Sequence, residues 1–106
     1  MIVMAPGSTQ VLEERVAEAA QLLRLLSNER RLLVMCHLLV HGEMSVGALA
    51  EAVGLAQPAL SQHLAMMRSQ GLLATRRAAQ TIHYRVADPK AGRIVEVLHE
   101  LFCPPI

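Results

Sequence analysis

The stretch from Ser45 to Ser69, SVGALAEAVGLAQPALSQHLAMMRS, predicts two helices joined by a short turn. Ser45 is a favourable N-cap, and apolar residues then recur at helical spacing until Gly54, which permits the left-handed conformation that ends many helices. Pro58 suits the first turn of a second helix because its fixed φ is already helical. We therefore expect a second helix from about Gln57 to Gln70.

Such a pair of helices is a helix-turn-helix, whose second helix enters the major groove of DNA. Taking about 100° per residue, Leu60, Leu64 and Met67 share one face of this helix and are expected to lie in the core. His63 flanks that face, so it is either a core histidine or a DNA contact. The opposite face is small and polar, which suits contacts with base edges and phosphates. Its members are Pro58, Ser61, Gln62, Ala65 and Ser69.

The distribution of charge favours the same interpretation. Residues 57–87 contain four arginines and no acidic residue, a net charge of +4, whereas the rest of the chain has six basic and nine acidic residues, a net charge of −3. A basic segment is often simply solvated, but one that coincides with a helix-turn-helix suits phosphate binding. We expect double-stranded DNA as a partner. The expected contacts are Gln57, Ser61, Gln62, His63, Arg68, Arg76, Arg77 and Gln80.

Two helices are predicted before this unit. Apolar residues repeat every three or four positions from Leu12 to Leu26, which indicates an amphipathic helix. Ser27 is the expected N-cap of a second helix, which Gly42 ends. The face of this second helix that is expected to be buried consists of Leu32, Met35, Cys36 and Leu39.

A hairpin and a last helix are predicted after the helix-turn-helix. Residues 72–77 and 81–86 contain β-branched and aromatic side chains and are predicted as two strands around the loop 78–80. Asp88-Pro89 ends the second strand, and apolar residues from Ile94 to Phe102 predict a final helix. The predicted fold is mainly α: a winged helix-turn-helix of four helices, a β-hairpin and a fifth helix.

Length and composition limit the other possibilities. The chain has 106 residues, of which 53% are hydrophobic, and this suits one domain with a single core. We expect residues 1–10 to be a mobile arm, because Pro6-Gly7-Ser8 disfavours a helix, and residues 11–106 to form the domain. The apolar start lacks the positive charge of a signal peptide, and no apolar run approaches the roughly 20 residues of a membrane span. A cytoplasmic protein without a membrane partner is expected.

The stretch from Leu25 to Val86 resembles the ArsR/SmtB family of small dimeric winged-helix repressors. The motifs that carry the resemblance are LSNERR, SVGALA, QPALSQHL and the hairpin pattern GLL…RR…Q…YR, and together they cover most of the chain. The resemblance implies a transcriptional repressor that binds operator DNA without a cofactor. It also implies a homodimer whose interface is formed by residues 11–26 and 90–102.

The metal sites of this family are not expected here. The Cys-x-Cys pair of its arsenic and cadmium sensors corresponds to Ser45-Val46-Gly47, which has no thiolate. The four ligands of its zinc sensors correspond to Asp88, Lys90, Leu101 and Pro104. Only the aspartate of these four residues can bind zinc, and the lysine would repel it. No metal ligand is therefore predicted at these positions.

The chain has two cysteines, Cys36 in the second helix and Cys103 at the end of the last. The segments LVMCHLL and LHELFCPP are similar to the sulfide-responsive branch of the family, the BigR and SqrR repressors. This similarity implies that Cys36 and Cys103 form a disulfide or polysulfide bridge when persulfide or polysulfide accumulates, and that the bridged protein releases DNA. The alternative is a cysteine that only packs in the core and an incidental thiol near the chain end.

Two further functions stay open. A metal sensor could use Cys36, His99 and Cys103, because His99 and Cys103 are one helical turn apart. A winged-helix protein-interaction module that has lost DNA binding is disfavoured by the acid-free basic segment. An enzyme is not expected and no catalytic residue is predicted, because no nucleophile, base and orienting group occur together in a recognisable motif.

Overall fold

Five helices and a three-stranded antiparallel sheet make up the computed structural model, which describes residues 3–5 and 7–103. The architecture is the predicted one, a mainly α winged helix-turn-helix. None of the helices in these residues is long and apolar enough to cross a membrane. In chain order the elements are α1 (Ser8–Leu26), α2 (Glu29–His41), β1 (Met44–Ser45), α3 (Val46–Val53), α4 (Gln57–Ser69), β2 (Leu73–Ala78), β3 (Thr81–Val86) and α5 (Pro89–Phe102).

One apolar core joins all five helices to the sheet. The predicted inner face of α4 is fully buried, which confirms the assignment of Leu60, Leu64 and Met67 to the core. Burying a side chain of this size contributes about 1.5–3 kcal/mol to stability. The other buried hydrophobic side chains are those of Leu25, Leu26, Val34, Met35, Leu38, Leu49, Ala50, Val53, Leu72, Leu73, Ala91 and Val95.

The helix-turn-helix forms for the reasons that the sequence indicated. The Ser45 side chain accepts a hydrogen bond from the Ala48 backbone N–H at 3.2 Å and so caps α3. Gly54 ends α3 in the left-handed conformation, with φ at 70°. Arg30 of α2 also stabilises the end of α3, because its Nη1 donates to the Val53 carbonyl at 2.7 Å. The turn is thus held from α2 as well as by its own glycine.

The start of α1 differs from the prediction. Gly7 is the N-cap in a left-handed conformation, with φ at 90°, and the helix begins at Ser8 instead of residue 11. Residues 8–10, which were expected in the arm, are therefore helical, because the glycine lets the chain turn into the helix immediately. Met1, Ile2 and Pro6 lie outside the described residues, and the mobility of the arm stays a prediction.

The N-cap of α2 was predicted one residue too early. Asn28, and not Ser27, occupies this position, and its side-chain oxygen accepts from the backbone N–H groups of Arg30 at 2.9 Å and Arg31 at 3.2 Å. Ser27 instead ends α1, because its N–H donates to the Arg24 carbonyl. The two helices are therefore joined by only two residues.

The buried face of α2 also differs from the prediction. Met35 is buried as expected, but Leu32 and Cys36 are half-buried and Leu39 is exposed. The fully covered residues are Val34, Met35 and Leu38. The sequence of α2 is apolar around most of its circumference, so periodicity alone does not identify the inner face. The packing of α2 against α3, α5 and β3 decides it.

The sheet contains the predicted hairpin and one strand that was missed. Strands β2 and β3 pair along their whole length, from Leu73 opposite Val86 to Ala78 opposite Thr81. Strand β2 begins and ends one residue later than predicted. Ala79 and Gln80 form the turn, in which Ala79 has a positive φ of 54°. Strand β1 pairs with the other side of β3 and has only two residues, too few to give a period in the sequence.

Helix α5 lies close to both α2 and the sheet. Asp88 caps it by accepting from the backbone N–H groups of Lys90 at 2.8 Å and Ala91 at 3.3 Å. Gly92 is buried where the helix meets its neighbours, and a Cβ atom there would lie 3.6 Å from Val86 Cγ1 and 3.7 Å from Leu39 Cδ2. An added Cβ would therefore make ordinary van der Waals contact with both neighbours.

Candidate DNA-binding surface and cysteine site

The outer face of α4 is exposed because the opposite face fills the core. Ser61 and Gln62 lie on this outer face, as predicted, and Gln57 in the first turn of the helix is also exposed to solvent. His63 is half-buried at the edge of the core. The side chain of Gln57 lies over α3 at Gly47, where an added Cβ would be 3.6 Å from Gln57 Nε2. Gln57 is therefore close to α3 at the start of α4.

The hairpin β2–β3, called the wing below, carries the second group of predicted contacts. Arg77 and Gln80 are exposed at and near its tip, and Arg68 is exposed in the last turn of α4. The predicted residues therefore occupy two elements, α4 and the wing, that are adjacent in the fold because α4 packs against β2. Whether each of them touches DNA stays a prediction.

Arg76 is exposed as well, but it is engaged in an ion pair. Its Nη2 atom lies 2.8 Å from Glu43 Oε1, and its Nε atom lies 3.2 and 3.1 Å from the two carboxylate oxygens of Glu43. The hydrogen bonds from Arg76 lower the pKa of Glu43 and raise that of Arg76. Sequence reasoning missed this partner because Glu43 is 33 residues away and lies just before the two-residue strand β1.

The two thiols lie at the junction of α2 and α5. Cys36 is half-buried, not buried as predicted, and Cys103 is exposed immediately after α5. A recess of about 160 Å³ separates the two helices and contains Cys36, Glu96 and His99 in its wall. The Cys103 N–H donates to the His99 carbonyl at 2.8 Å, so Cys103 is the C-cap of α5, one turn beyond His99.

The pKa of Cys36 is raised, and burial of the thiol is the main cause. The negative charge of the Cys103 thiolate adds to this rise. A raised pKa means that little of Cys36 is thiolate at neutral pH. Cys103, which is exposed, is therefore the more accessible nucleophile of the two.

A metal site is not evident around these thiols. His99 shares the recess with Cys36, but Cys36, His99 and Cys103 do not form a group that could hold an ion. No such group of three or more His, Cys, Asp or Glu side chains occurs in residues 3–5 and 7–103. The metal-sensing alternative therefore receives no support from the described part of the chain.

The outer surfaces of α1 and α5 expose many apolar side chains. On α1 these are Val11, Leu12, Val16 and Leu23, and at the end of α5 they are Leu101 and Phe102, which is 79% exposed. A groove of about 780 Å³ lies between α1 and the start of α5, with Leu22 and Ile94 among its walls. Exposed apolar surface of this kind is typical of protein interfaces.

The fold and the exposed polar face of α4 define the class of the protein, a winged-helix DNA-binding regulator. The profile described as "Bacterial regulatory protein, arsR family" matches residues 28–75. The transcriptional activator HlyU of Vibrio cholerae is 43% identical over 99 residues, which cover 93% of this chain and 91% of HlyU. The chain belongs to the ArsR family. It is a transcription regulator and not an enzyme, as the sequence predicted.

Two solved structures support the same assignment. Reduced HlyU from Vibrio cholerae superposes with a TM-score of 0.83 at 44% identity, covering 90% of this chain and 99% of HlyU. The transcriptional repressor BigR from Xylella fastidiosa superposes with a TM-score of 0.84 at 41% identity, covering 92% of this chain and 99% of BigR. One of these relatives is named an activator and the other a repressor.

Proposed function

We propose that the protein is a homodimeric repressor that binds operator DNA and releases it when persulfide or polysulfide joins Cys36 to Cys103. The observation that carries the sensing part is the position of the two cysteines relative to the recess between α2 and α5. Cys36 lines the recess between α2 and α5, and Cys103 lies one turn beyond His99 of the same recess. The likeness to BigR, which is named a repressor, supports the direction of regulation.

In the proposed complex, α4 enters the major groove. Gln57, Ser61 and Gln62 meet base edges there, because their exposed side chains carry donors and acceptors in the first half of the helix. Arg68 and the wing residues Arg77 and Gln80 meet the phosphate backbone or the adjacent minor groove. His63 contributes at the margin of this surface. Two copies would place their α4 helices in successive major grooves about 34 Å apart on an imperfect palindrome.

The dimer is proposed to form through α1 and α5. Both helices expose apolar side chains that a single copy leaves in water, such as Leu23 and Leu101. Covering them with a second copy would contribute roughly 25 cal/mol for each Å² of apolar surface removed from water. The groove between α1 and α5 offers a concave surface for the partner's helix.

The sulfur chemistry proceeds in two balanced steps. The Cys103 thiolate attacks the terminal sulfur of a persulfide RSSH, so that Cys103 becomes a persulfide and RS⁻ leaves with one proton as RSH. The Cys36 thiolate then attacks Sγ of Cys103, the inner sulfur of that persulfide. The bond from Sγ to the outer sulfur breaks, a Cys36–Cys103 disulfide forms, and HS⁻ leaves and takes up a proton to become H₂S. The persulfide is the oxidant, and the two cysteines are oxidised. If both cysteines are first converted to persulfides, their condensation yields a trisulfide and one H₂S.

The length of the bridge depends on the gap between the helices. A direct disulfide needs Cα atoms about 4.4–6.8 Å apart, whereas each inserted sulfur tolerates a longer separation. Cys103 lies at the end of α5, where the chain leaves the helix with extended dihedral angles. This end can approach α2 with less disruption than a residue in the middle of the helix.

The test combines mass spectrometry with DNA binding on the parent protein and on Cys36→Ser and Cys103→Ser. Persulfide should produce an intramolecular bridge in the parent only, and DNA should dissociate from the parent only. If both variants still release DNA on treatment, the thiol switch is wrong. If zinc at stoichiometric amounts releases the parent and persulfide does not, a metal sensor replaces it.

A further inference from the structure

The outer face of the sheet places one carboxylate among several cationic side chains. Ser45, His83 and Arg76 are directly opposite one another in β1, β3 and β2, so their side chains share one face. Arg85 lies two residues from His83 and therefore on the same face. Glu43 precedes β1 at the edge of this face, and the charges of His83 and Arg85 contribute to the lowering of its pKa.

The ion pair between Glu43 and Arg76 spans the width of the sheet. Strands β1 and β2 are not neighbours, because β3 lies between them, and two strand spacings amount to about 10 Å. Arg76 reaches across this distance and meets the carboxylate with Nε and Nη2. Among the ion pairs of the described residues, this one joins the wing to the strand that leads into α3.

The pair leaves one edge of the arginine free. A guanidinium carries five N–H donors in a rigid plane, and Glu43 accepts from Nε and Nη2. Within residues 3–5 and 7–103, Nη1 of Arg76 has no hydrogen-bond partner, and the side chain is 52% exposed. Because the plane is rigid, fixing one edge also fixes the direction in which the other edge points.

We propose that Glu43 is a positioning residue for DNA binding: it holds Arg76 across the sheet so that the free edge of the guanidinium meets a DNA phosphate. This inference rests on the proposed function of the wing. An arginine that is already ordered loses less side-chain entropy on binding than a free one. Glu43 thus promotes binding to a polyanion although it is itself negative.

The opposite expectation follows if Glu43 has only an electrostatic role. A carboxylate near the wing repels phosphates, so its removal would then strengthen DNA binding. Glu51 provides the matched control, because it is an exposed acid on α3 that forms no ion pair within the described residues. Glu43→Gln and Glu51→Gln remove the same charge from neighbouring parts of the molecule, and only the first removes the support of Arg76.

The experiment measures binding of the full chain to a fluorescein-labelled 40-base-pair duplex that the parent selects from a random library. We expect Glu43→Gln to weaken binding about 2- to 10-fold, the cost of ordering one long side chain, and to lower the slope against salt. Glu51→Gln should leave binding unchanged or tighten it. Equal or tighter binding by Glu43→Gln overturns the inference.

Double variants separate positioning of Arg76 from a general effect on the wing. Glu43→Gln should have no further effect in Arg76→Ala or in Arg76→Lys, since lysine lacks the fork that the carboxylate orients. Its effect should add to that of Arg77→Ala, because Arg77 does not contact Glu43. A loss that persists in Arg76→Ala contradicts the inference. A parent protein that selects and binds no duplex at all contradicts the proposed DNA binding itself.

Discussion

The helix-turn-helix and the α1–α5 side of the molecule differ in how completely their apolar residues are covered. In α4, Leu60, Leu64 and Met67 are 0% exposed, whereas Leu23 on α1 is 57% and Leu101 on α5 is 71% exposed. The helix-turn-helix is therefore complete within one copy of the chain. The α1–α5 side is covered only if something else binds there, which agrees with the proposed dimer.

The largest effect is expected where the core is complete. Leu64→Ala removes a fully buried side chain from α4 and should lower the free energy of unfolding by about 2–5 kcal/mol, measured by urea denaturation. Val40→Ala, at a position 71% exposed, is the control and should change it by less than about 0.5 kcal/mol. Similar losses of unfolding free energy in both variants would contradict the difference between the covered and the exposed apolar residues.

A substitution on the α1–α5 side should weaken dimer association and should not affect folding. Val16→Asp places a charge on the exposed apolar face of α1 and should raise the dimer dissociation constant by at least about 30-fold, or 2 kcal/mol, because the charge would be buried in the interface. Sedimentation velocity measures this, with Glu14→Gln on the same helix as control. A parent protein that is monomeric at micromolar concentration refutes the dimer.

The residues of the proposed DNA-binding surface should fall into two groups, those that contact phosphates and those that contact bases. Arg77→Ala removes an exposed cation from the wing and should lower the slope of log affinity against log salt by about one. Gln62→Ala should preserve that slope and cost about 1–3 kcal/mol of discrimination between base pairs. Binding titrations at four salt concentrations test both, and unchanged affinity and slope in Arg77→Ala would remove the wing from the interface.

A smaller effect is expected at the junction of α1 and α2. Asn28→Ala deletes the side chain that accepts from two backbone N–H groups and should lower the free energy of unfolding by about 1 kcal/mol. Ser27→Ala is the matched control, because Ser27 does not cap α2 and its loss should have little effect. Thermal unfolding of both variants decides which residue caps the helix.

The smallest effect concerns the electrostatic coupling of the thiols. The Cys103 thiolate helps to raise the pKa of Cys36, so Cys103→Ser should lower that pKa towards its ordinary value. The rate of alkylation of Cys36 by iodoacetamide, measured against pH, should then rise at lower pH than in the parent. Cys103→Asp keeps a negative charge near Cys36 and should retain the parent profile. Identical profiles for the parent and Cys103→Ser would contradict the coupling.

The parts of the fold that depend on local signals were predictable from the sequence. Ser45, Gly54 and Pro58 define the helix-turn-helix through backbone preferences that act within a few residues. The face of α4 followed from a clear separation of apolar and polar residues. The inner face of α2 did not, because leucine and valine occur around most of that helix and its neighbours determine which of them are covered.

The candidate site was predictable in its residues but not in their partners. The exposure of Ser61 and Gln62 follows from helical spacing, and it was predicted correctly. Gln57 is exposed because it lies in the first turn of α4, although helical spacing places it near the face of Leu64. The pairing of Arg76 with Glu43 depends on a strand of two residues and on the strand order of the sheet. The half-buried state of Cys36 likewise depends on how α5 packs, and no periodicity in the sequence encodes it.

Gly92 lies near the start of α5, so most of the helix extends beyond it towards Cys103. Gly92 faces Leu39 of α2 and Val86 at the end of the wing, both within 4 Å of where its Cβ would be. Cys103 follows eleven residues later, about 16 Å further along the helix. A tilt of about 5° around that contact would therefore move the Cys103 end by roughly 1.4 Å and the wing end hardly at all. The displacement is therefore largest beside the exposed Leu101 and Phe102. In a dimer, that geometry would direct the signal to the partner subunit and the spacing of the two α4 helices, and not along the chain to its own wing.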